Sequence, residues 1–397
     1  MVRGTALVSI VLAVVTACGD SSTPATNDDP DNAGNIIAKS PAEHVDPALR
    51  DAAASATIVT YASRNGINDA VSHVTASVFV PKGNPPPGGF PVVALGHPTT
   101  GTAPECAPSQ SPDLSGESTT AMALLNAGYV VTVPDYQGLG KPAKPDDYDF
   151  DPYLDSTTAG FNMIDAVRAA RKLVPDASDT WAALGAQEGG QAAWAANELA
   201  DNYGNDLKLV AAAALAPMAD FEGLADNAMA GTLNTDQKLV YVAYLAALKN
   251  EYFYDLELDD YRRGAAEQNW DALLSCKDPA QRKLLADKIG PDDLRPASPQ
   301  ALQQLRGYLQ KTTLPQGPTQ APMYVIYGGR DAVIPAAWTE RAIARGCKMG
   351  DGIQIAYWPD KPRDQIPAVA ALGWLNDRMK GVPAANDCPA FTTGHRS

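Results

Sequence analysis

A glycine-framed turn in the middle of the chain has the spacing of a catalytic elbow. Residues 185–189 have the sequence G-A-Q-E-G and lie between a short apolar run, 181–184, and an Ala-rich stretch. Strand, tight glycine turn and helix is the order of G-x-S-x-G, which lifts a serine above a parallel sheet. Here Gln187 occupies the tip, and a carboxamide is neither a nucleophile nor an acid–base group. The spacing predicts the scaffold of an acyl-transfer site without its nucleophile.

Asp331 is the second residue that could belong to such a site. It follows an apolar run and a Gly-Gly pair, where an acid could orient an imidazole and stabilise its charged form. The imidazole should follow in the next loop, residues 359–365, but the sequence there is P-D-K-P-R-D-Q. The acid position is therefore predicted to be filled and the base position to be empty.

The remaining histidines offer no obvious substitute. His44 precedes the fold, His73 lies within a predicted strand, and His395 is in the C-terminal tail. His97 lies in a loop near the elbow, where a structural role is favoured over a catalytic one.

Backbone donors for an oxyanion could survive even without a nucleophile. Pro98 has no N–H, so the favoured donors are the amides of Thr99 and of Glu188, the residue after the tip. The Glu188 carboxylate could itself be a nucleophile. A solvated or helix-terminal glutamate that complements the helix dipole is the favoured interpretation.

Composition excludes several classes of partner. The chain has 397 residues, of which 45% are hydrophobic and 19% charged, with a net charge of −15. Such a chain forms a globular protein, and without a basic cluster it is not expected to bind nucleic acid. No cysteine or histidine spacing is typical of a metal site. We therefore expect neither a metal nor another cofactor.

The N-terminus indicates export. Arg3 precedes an apolar segment, residues 6–15, that is too short to span a bilayer as a mature helix. The following V-T-A-C ends at Cys18 and resembles a bacterial lipobox, in which the cysteine is lipidated. We predict a lipoprotein signal peptide over residues 1–18 and a flexible tether over 19–37, rich in Ser, Thr, Asn, Asp and Pro. An ordinary cleaved secretory peptide is the alternative. The protein would be anchored by lipid at the outer face of a bacterial membrane, or secreted.

Four cysteines remain after Cys18, and four can pair in three ways. An exported protein meets an oxidising compartment, so two disulfides are expected. Nearness in the fold favours Cys347 with Cys388, and hence Cys106 with Cys276.

The hydrophobic pattern predicts an α/β fold. Continuous apolar runs alternate with helical patterns, which indicates a mostly parallel sheet covered by helices on both faces. Strands are predicted over 56–61, 71–80, 91–95, 129–133, 181–184, 209–215, 323–327 and 353–357. The alternation breaks between residues 219 and 318, where helical patterns and aromatic residues predict an inserted cap. The globular domain is expected to span residues 38–397.

Several segments together resemble the secretory lipase family of α/β-hydrolases. The matching segments are residues 96–109, 129–140, 152–154, 165–171, 185–193, 327–335 and 374–381. The resemblance implies an α/β-hydrolase fold, a helical lid over 219–318, a triad acid at Asp331 and the two disulfides above. It also implies a histidine within about 361–364, where Pro362 or its neighbour stands in this sequence. It also implies a lipase or carboxylesterase ancestry.

Two functions follow from this combination, and the sequence leaves open whether the protein is an enzyme. The favoured one is a lipase-like protein that binds an acyl-ester or another apolar ligand with impaired or absent hydrolysis. The alternative is an active triacylglycerol lipase or carboxylesterase with a non-standard site. A structural or adhesion lipoprotein is less favoured, because the glycine frame and the lid indicate a retained pocket.

Overall fold

The computed structural model describes residues 1, 32–141, 149–252, 255–366 and 368–394. Cys18, the predicted signal peptide and the tether up to residue 31 lie outside the described residues. Within those ranges, no helix combines the length and the apolar character that crossing a membrane requires.

A nine-stranded sheet organises the chain. The strands are β1 Ile36–Pro41, β2 Ala53–Arg64, β3 Val71–Pro81, β4 Phe90–Gly96, β5 Val130–Pro134, β6 Ala177–Ala186, β7 Lys208–Leu215, β8 Met323–Gly328 and β9 Ile353–Trp358. Their spatial order is β1-β2-β3-β5-β4-β6-β7-β8-β9. In this spatial order, every neighbouring pair from β5 to β9 is parallel, whereas the pairs β1–β2, β2–β3 and β3–β5 are antiparallel. This sheet confirms the predicted mostly parallel α/β fold.

Both faces of the sheet are buried, which explains the continuous apolar runs. On β4, Val92 belongs to one hydrophobic cluster and the adjacent Val93 to another, because successive side chains of a strand point to opposite faces. The helices outside the cap are α1 Pro47–Ala52, α2 Ser118–Asn126, α3 Ser156–Leu173, α4 Glu188–Leu199, α11 Ala336–Met349, α12 Ala368–Met379 and α13 Cys388–Thr392. Residues of α3, α4 and α11 belong to the first cluster, and residues of α1, α2 and α12 to the second.

Six α-helices among the described residues between β7 and β8 form the cap. They are α5 Gly223–Ala230, α6 Thr235–Glu251, α7 Gly264–Gln268, α8 Trp270–Leu274, α9 Pro279–Asp287 and α10 Pro299–Thr312. Their apolar side chains form a third cluster, which also includes Tyr153 and Val333 from loops of the sheet domain. The cap is therefore a hydrophobic unit in its own right that packs onto the loops around the elbow.

The first strand corrects the N-terminal boundary. β1 begins at Ile36, inside the segment predicted as tether to residue 37, and pairs with β2. Asn35 also contacts the sheet domain, where its side chain accepts a hydrogen bond of 2.5 Å from Lys172. The sequence of β1, I-I-A-K-S-P, is short and mostly exposed, so it lacks the apolar run that marks the buried strands.

Candidate active site

The turn between β6 and α4 has the strained geometry that an elbow requires. Gln187 has φ 59° and ψ −112°, a conformation that is rare for a residue with a side chain. The Gln187 amide donates a hydrogen bond to the Leu215 carbonyl at 2.8 Å, and the Gln187 carbonyl accepts hydrogen bonds from the amides of Met218 and Gln191, each at 3.0 Å. The turn therefore presents the Gln187 side chain in the position of a nucleophile.

The glycines of the frame allow strand and helix to touch. A Cβ on Gly189 would lie 2.2 Å from the carbonyl oxygen of Gly96, and one on Gly185 would lie 2.1 Å from that of Gly189. No larger residue fits at either position without moving backbone. The glycine spacing that predicted the elbow thus has a direct steric cause.

A cavity of about 350 Å³ lies over the elbow, between the sheet domain and the cap. Such a volume is at the lower end of the range for small-molecule sites, about 300–1,000 Å³. The sheet domain contributes residues 99, 101, 102, 153, 187, 218, 330, 332, 333 and 362–364 to its lining, and the cap contributes residues 236, 239, 240, 243, 273, 274 and 282. Gln187 is therefore directed at a space that could hold a ligand.

Asp331 faces an arginine where the resemblance predicts a histidine. Its Oδ1 accepts the amides of Val333 at 2.8 Å and Ile334 at 3.0 Å, and it lies 3.9 Å from Nη1 of Arg363. The Asp331 side chain is only 4% exposed. Its carboxylate thus caps the turn after β8 and lies near a permanent cation.

No histidine among the described residues lines the cavity. The His97 ring is fully buried, stacks on Tyr136 with ring centroids 4.4 Å apart, and has its two nitrogens 2.7 Å from the Pro98 carbonyl and 3.2 Å from the Asp135 carbonyl. Burial lowers the pKa of His97 to about 4. This imidazole has a structural role. His44 contacts the Ser109 carbonyl, and His395 lies outside the described residues.

Buried carboxyl groups lie directly behind the elbow. Glu188, the first residue of α4, is 5% exposed. Burial raises its pKa to about 8, and a hydrogen bond from Thr99 reduces this rise. Burial and the neighbouring Glu188 raise the pKa of Asp151 well above its usual range. Glu188 is helix-terminal, one of the two forms that the favoured interpretation allowed, and it is buried rather than solvated.

Thr99 places a polar group between this buried region and the cavity. Its hydroxyl lies 2.9 Å from the Tyr153 hydroxyl, and both residues line the cavity beside Gln187. The oxyanion role of the Thr99 and Glu188 amides stays a prediction.

A family model described as secretory lipase matches residues 108–387, which is most of the chain. The chain belongs to the secretory lipase family. Membership in a secretory family, together with two disulfides, indicates an exported protein. No curated protein matches the sequence significantly.

Solved structures show the same fold. Candida antarctica lipase A in its closed state is 17% identical with a TM-score of 0.68, and the match covers 89% of this chain and 84% of that chain. The rice cell wall degrading esterase of Xanthomonas oryzae, in a ligand-bound form, is 20% identical with a TM-score of 0.64, and the match covers 88% and 97%. At these identities the likeness establishes the α/β-hydrolase fold alone.

The disulfides of this secretory lipase homologue tie peripheral elements to the sheet domain. Cys106, in the loop after β4, pairs with Cys276 of the cap, and Cys347 on α11 pairs with Cys388 on α13. The first bridge lies on the loop that follows Thr99, so it fixes the cap next to the elbow. Among the described residues, no group of three or more potential ligand side chains could hold a metal ion.

Most residues that line this cavity were not predicted as site residues from the sequence, and Tyr153, Arg282 and Arg363 are the ones that matter most for its polarity. Tyr153 lies in the P-Y-L segment that was used only as a family marker, and Arg363 lies in the loop that was searched only for histidine. Arg282 on α9 comes from the cap, whose residues had no motif to mark them. The high proportion of charged residues in the P-D-K-P-R-D-Q loop was the one signal that could have indicated Arg363.

Proposed function

We propose that this member of the secretory lipase family binds an acyl-ester or another apolar ligand beneath its cap without efficient hydrolysis. The observation that carries the proposal is Gln187 at the tip of an otherwise intact elbow, facing a cavity. A carboxamide cannot form the acyl intermediate that a serine forms.

Arg363, whose guanidinium lies beside Asp331, supports the same proposal. A general base must take up a proton, and a guanidinium stays charged at any pH a protein survives. Arg363 therefore cannot replace an imidazole. Loss of the serine or the histidine of a triad leaves a residual acceleration of roughly 10³-fold over water, from binding and oxyanion stabilisation.

The cavity favours ligand binding over a purely structural role. Its cap side is lined by Leu239, Val240, Ala243, Leu273 and Leu274. An empty cavity lowers the stability of a fold, so side chains that filled this one would stabilise a protein with a purely structural role. The open cavity beside the elbow therefore favours a ligand-binding role.

We propose further that the protein is held at the outer face of a bacterial membrane by a lipid on Cys18, and that this anchor is its sole membrane contact. Cells that express the full chain should incorporate radiolabelled palmitate into it, and Cys18→Ser should abolish the label. Retention of the label by Cys18→Ser would refute the anchor.

Hydrolysis is tested on the full-length protein, purified with detergent. We expect turnover of short-chain p-nitrophenyl esters to remain far below ordinary lipase rates, and a fluorophosphonate probe not to label the protein. Mass spectrometry of the native protein should find co-purified lipid or fatty acid.

Turnover at lipase rates that Gln187→Ala leaves unchanged would refute the proposal and favour the alternative, an active esterase with its machinery elsewhere. Labelling by the fluorophosphonate would identify an unrecognised serine nucleophile. Failure of every apolar ligand to bind would favour a structural role.

A further inference from the structure

Three arginines from separate parts of the chain line the cavity over Gln187. Arg282 lies on cap helix α9, Arg330 follows β8, and Arg363 lies in the loop after β9. An ester is neutral and gives a guanidinium no charged partner. Arg330 is exposed, whereas Arg282 and Arg363 are partly buried. Two partly buried cations beside an apolar wall therefore indicate a ligand that carries negative charge.

The acidic residues nearby leave this charge only partly compensated. Asp236, which also lines the cavity, lies 3.2 Å from Nζ of Lys283 and so has its own partner. Asp364 is exposed, where water and salt screen its charge. Asp331 lies 3.9 Å from Arg363, beyond hydrogen-bond distance.

One edge of the Arg363 guanidinium is unused. Nη1 faces Asp331, whereas Nε and Nη2 are buried and have no hydrogen-bond partner in the part of the chain that the structure describes. The same holds for Nε of Arg282. Unpaired buried donors are unfavourable, and the Nε–Nη2 edge is the one that binds a planar carboxylate through two parallel hydrogen bonds.

Tyr153 relates the two arginines to each other. Its buried hydroxyl lies at the cavity beside Thr99. Arg282 and Arg363 line the same cavity, so this hydroxyl and the two guanidinium groups belong to one chamber.

We propose that the cavity binds a fatty acid, with its carboxylate on the Nε–Nη2 edge of Arg363, Arg282 as the second cation, and its chain against the apolar cap wall. This inference rests on the proposed function and specifies its ligand, which is the product of acyl-ester hydrolysis. Both nitrogens of that edge are covered by protein here, so binding requires the Arg363 side chain to rotate toward the cavity that it lines.

The test compares four amphiphiles of one chain length on the full-length protein. Decanoate, decanol, methyl decanoate and decyl phosphate are titrated by calorimetry below their micellar concentrations. We expect decanoate to bind about ten- to a hundredfold more tightly than decanol or methyl decanoate, which is the range for a charge-assisted bidentate contact. Arg363→Met should remove this preference, and Arg363→Lys should restore part of it, since lysine keeps the charge but not the edge.

Arg306→Met is the matched control, because Arg306 pairs with Asp226 on the cap surface and does not line the cavity. Arg306→Met should bind decanoate like the wild type. Arg282→Met should weaken the binding of decanoate but not that of the other three compounds. Equal affinity for all four compounds would overturn the carboxylate inference and leave the proposed function intact. Tighter binding of decyl phosphate than of decanoate would also overturn it. Failure of all four to bind would overturn both.

Discussion

In this structure Nη1 of Arg363 lies 3.9 Å from Oδ1 of Asp331, on the loop where the family resemblance predicts the catalytic histidine. The carboxylate that orients an imidazole in a triad here faces a group that cannot exchange a proton. The predicted acid position therefore has a permanent cation beside it. This pairing and the glutamine at the elbow are the observations behind the proposed loss of hydrolysis.

Asp331 should contribute to stability rather than to catalysis. Asp331→Ala removes the acceptor of two backbone hydrogen bonds and the carboxylate beside Arg363. It should lower the free energy of unfolding by about 2–4 kcal/mol. Asp331→Asn keeps an acceptor oxygen and should lose about 1 kcal/mol. Urea unfolding measures both, and equal stability of the two variants would contradict the capping role.

The buried Glu188 should make stability depend on pH. Its pKa rises from 4.5 to about 8 on folding, so the folded state binds more protons within that window. The free energy of unfolding should therefore fall as pH rises from about 4.5 to about 8. Glu188→Gln should be more stable than the wild type at pH 9, by on the order of 3 kcal/mol.

Urea unfolding at several pH values provides the measurement for this effect. Glu43→Gln, at an exposed position, should keep the wild-type slope. Part of the slope should remain in Glu188→Gln, because burial also raises the pKa of Glu198 to about 8 and that of Glu117 to about 7. A slope unchanged by Glu188→Gln would show that Glu188 is ionised when folded.

The close approach at the elbow should make one glycine indispensable. Gly189→Ala would bring a Cβ to 2.2 Å from the Gly96 carbonyl oxygen, which should cost more than about 3 kcal/mol or prevent folding. A Cβ on Gly307, inside α10, would meet no atom within 4 Å. Gly307→Ala should therefore stabilise the protein by about 0.5–1 kcal/mol. Thermal unfolding of both variants is the measurement, and a stable Gly189→Ala would contradict the packing of the frame.

Restoring one catalytic group should not restore hydrolysis. Gln187→Ser places a hydroxyl at the elbow, but no histidine among the described residues lines the cavity to accept its proton. The double variant Gln187→Ser/Arg363→His adds an imidazole beside Asp331 and should hydrolyse p-nitrophenyl butyrate about tenfold or more faster than the single variant. Gln187→Ala/Arg363→His is the control without a nucleophile. Lipase-level turnover by Gln187→Ser alone would reveal a base that the structure does not identify.

Local patterns were enough to predict the elements that position the site. Continuous apolar runs identified β4 to β9 to within four residues at each end, because strands buried on both faces carry few polar side chains in their interior. β1 was missed because an exposed edge strand has no such pattern. The glycine spacing indicated the elbow because only glycine fits where backbone meets backbone.

The sequence by itself determined the scaffold, the substitution at Gln187 and the absence of a histidine from the loop after β9, since each is a property of residues close together in the chain. Only the tertiary structure decided what surrounds Asp331 and Gln187. Arg282, Tyr153 and Arg363 are brought to one cavity from three distant segments, and Glu188 and Asp151 become neighbours behind it. Burial and proximity, which no local pattern encodes, place arginines beside an apolar wall and raise the pKa values of two buried carboxyl groups.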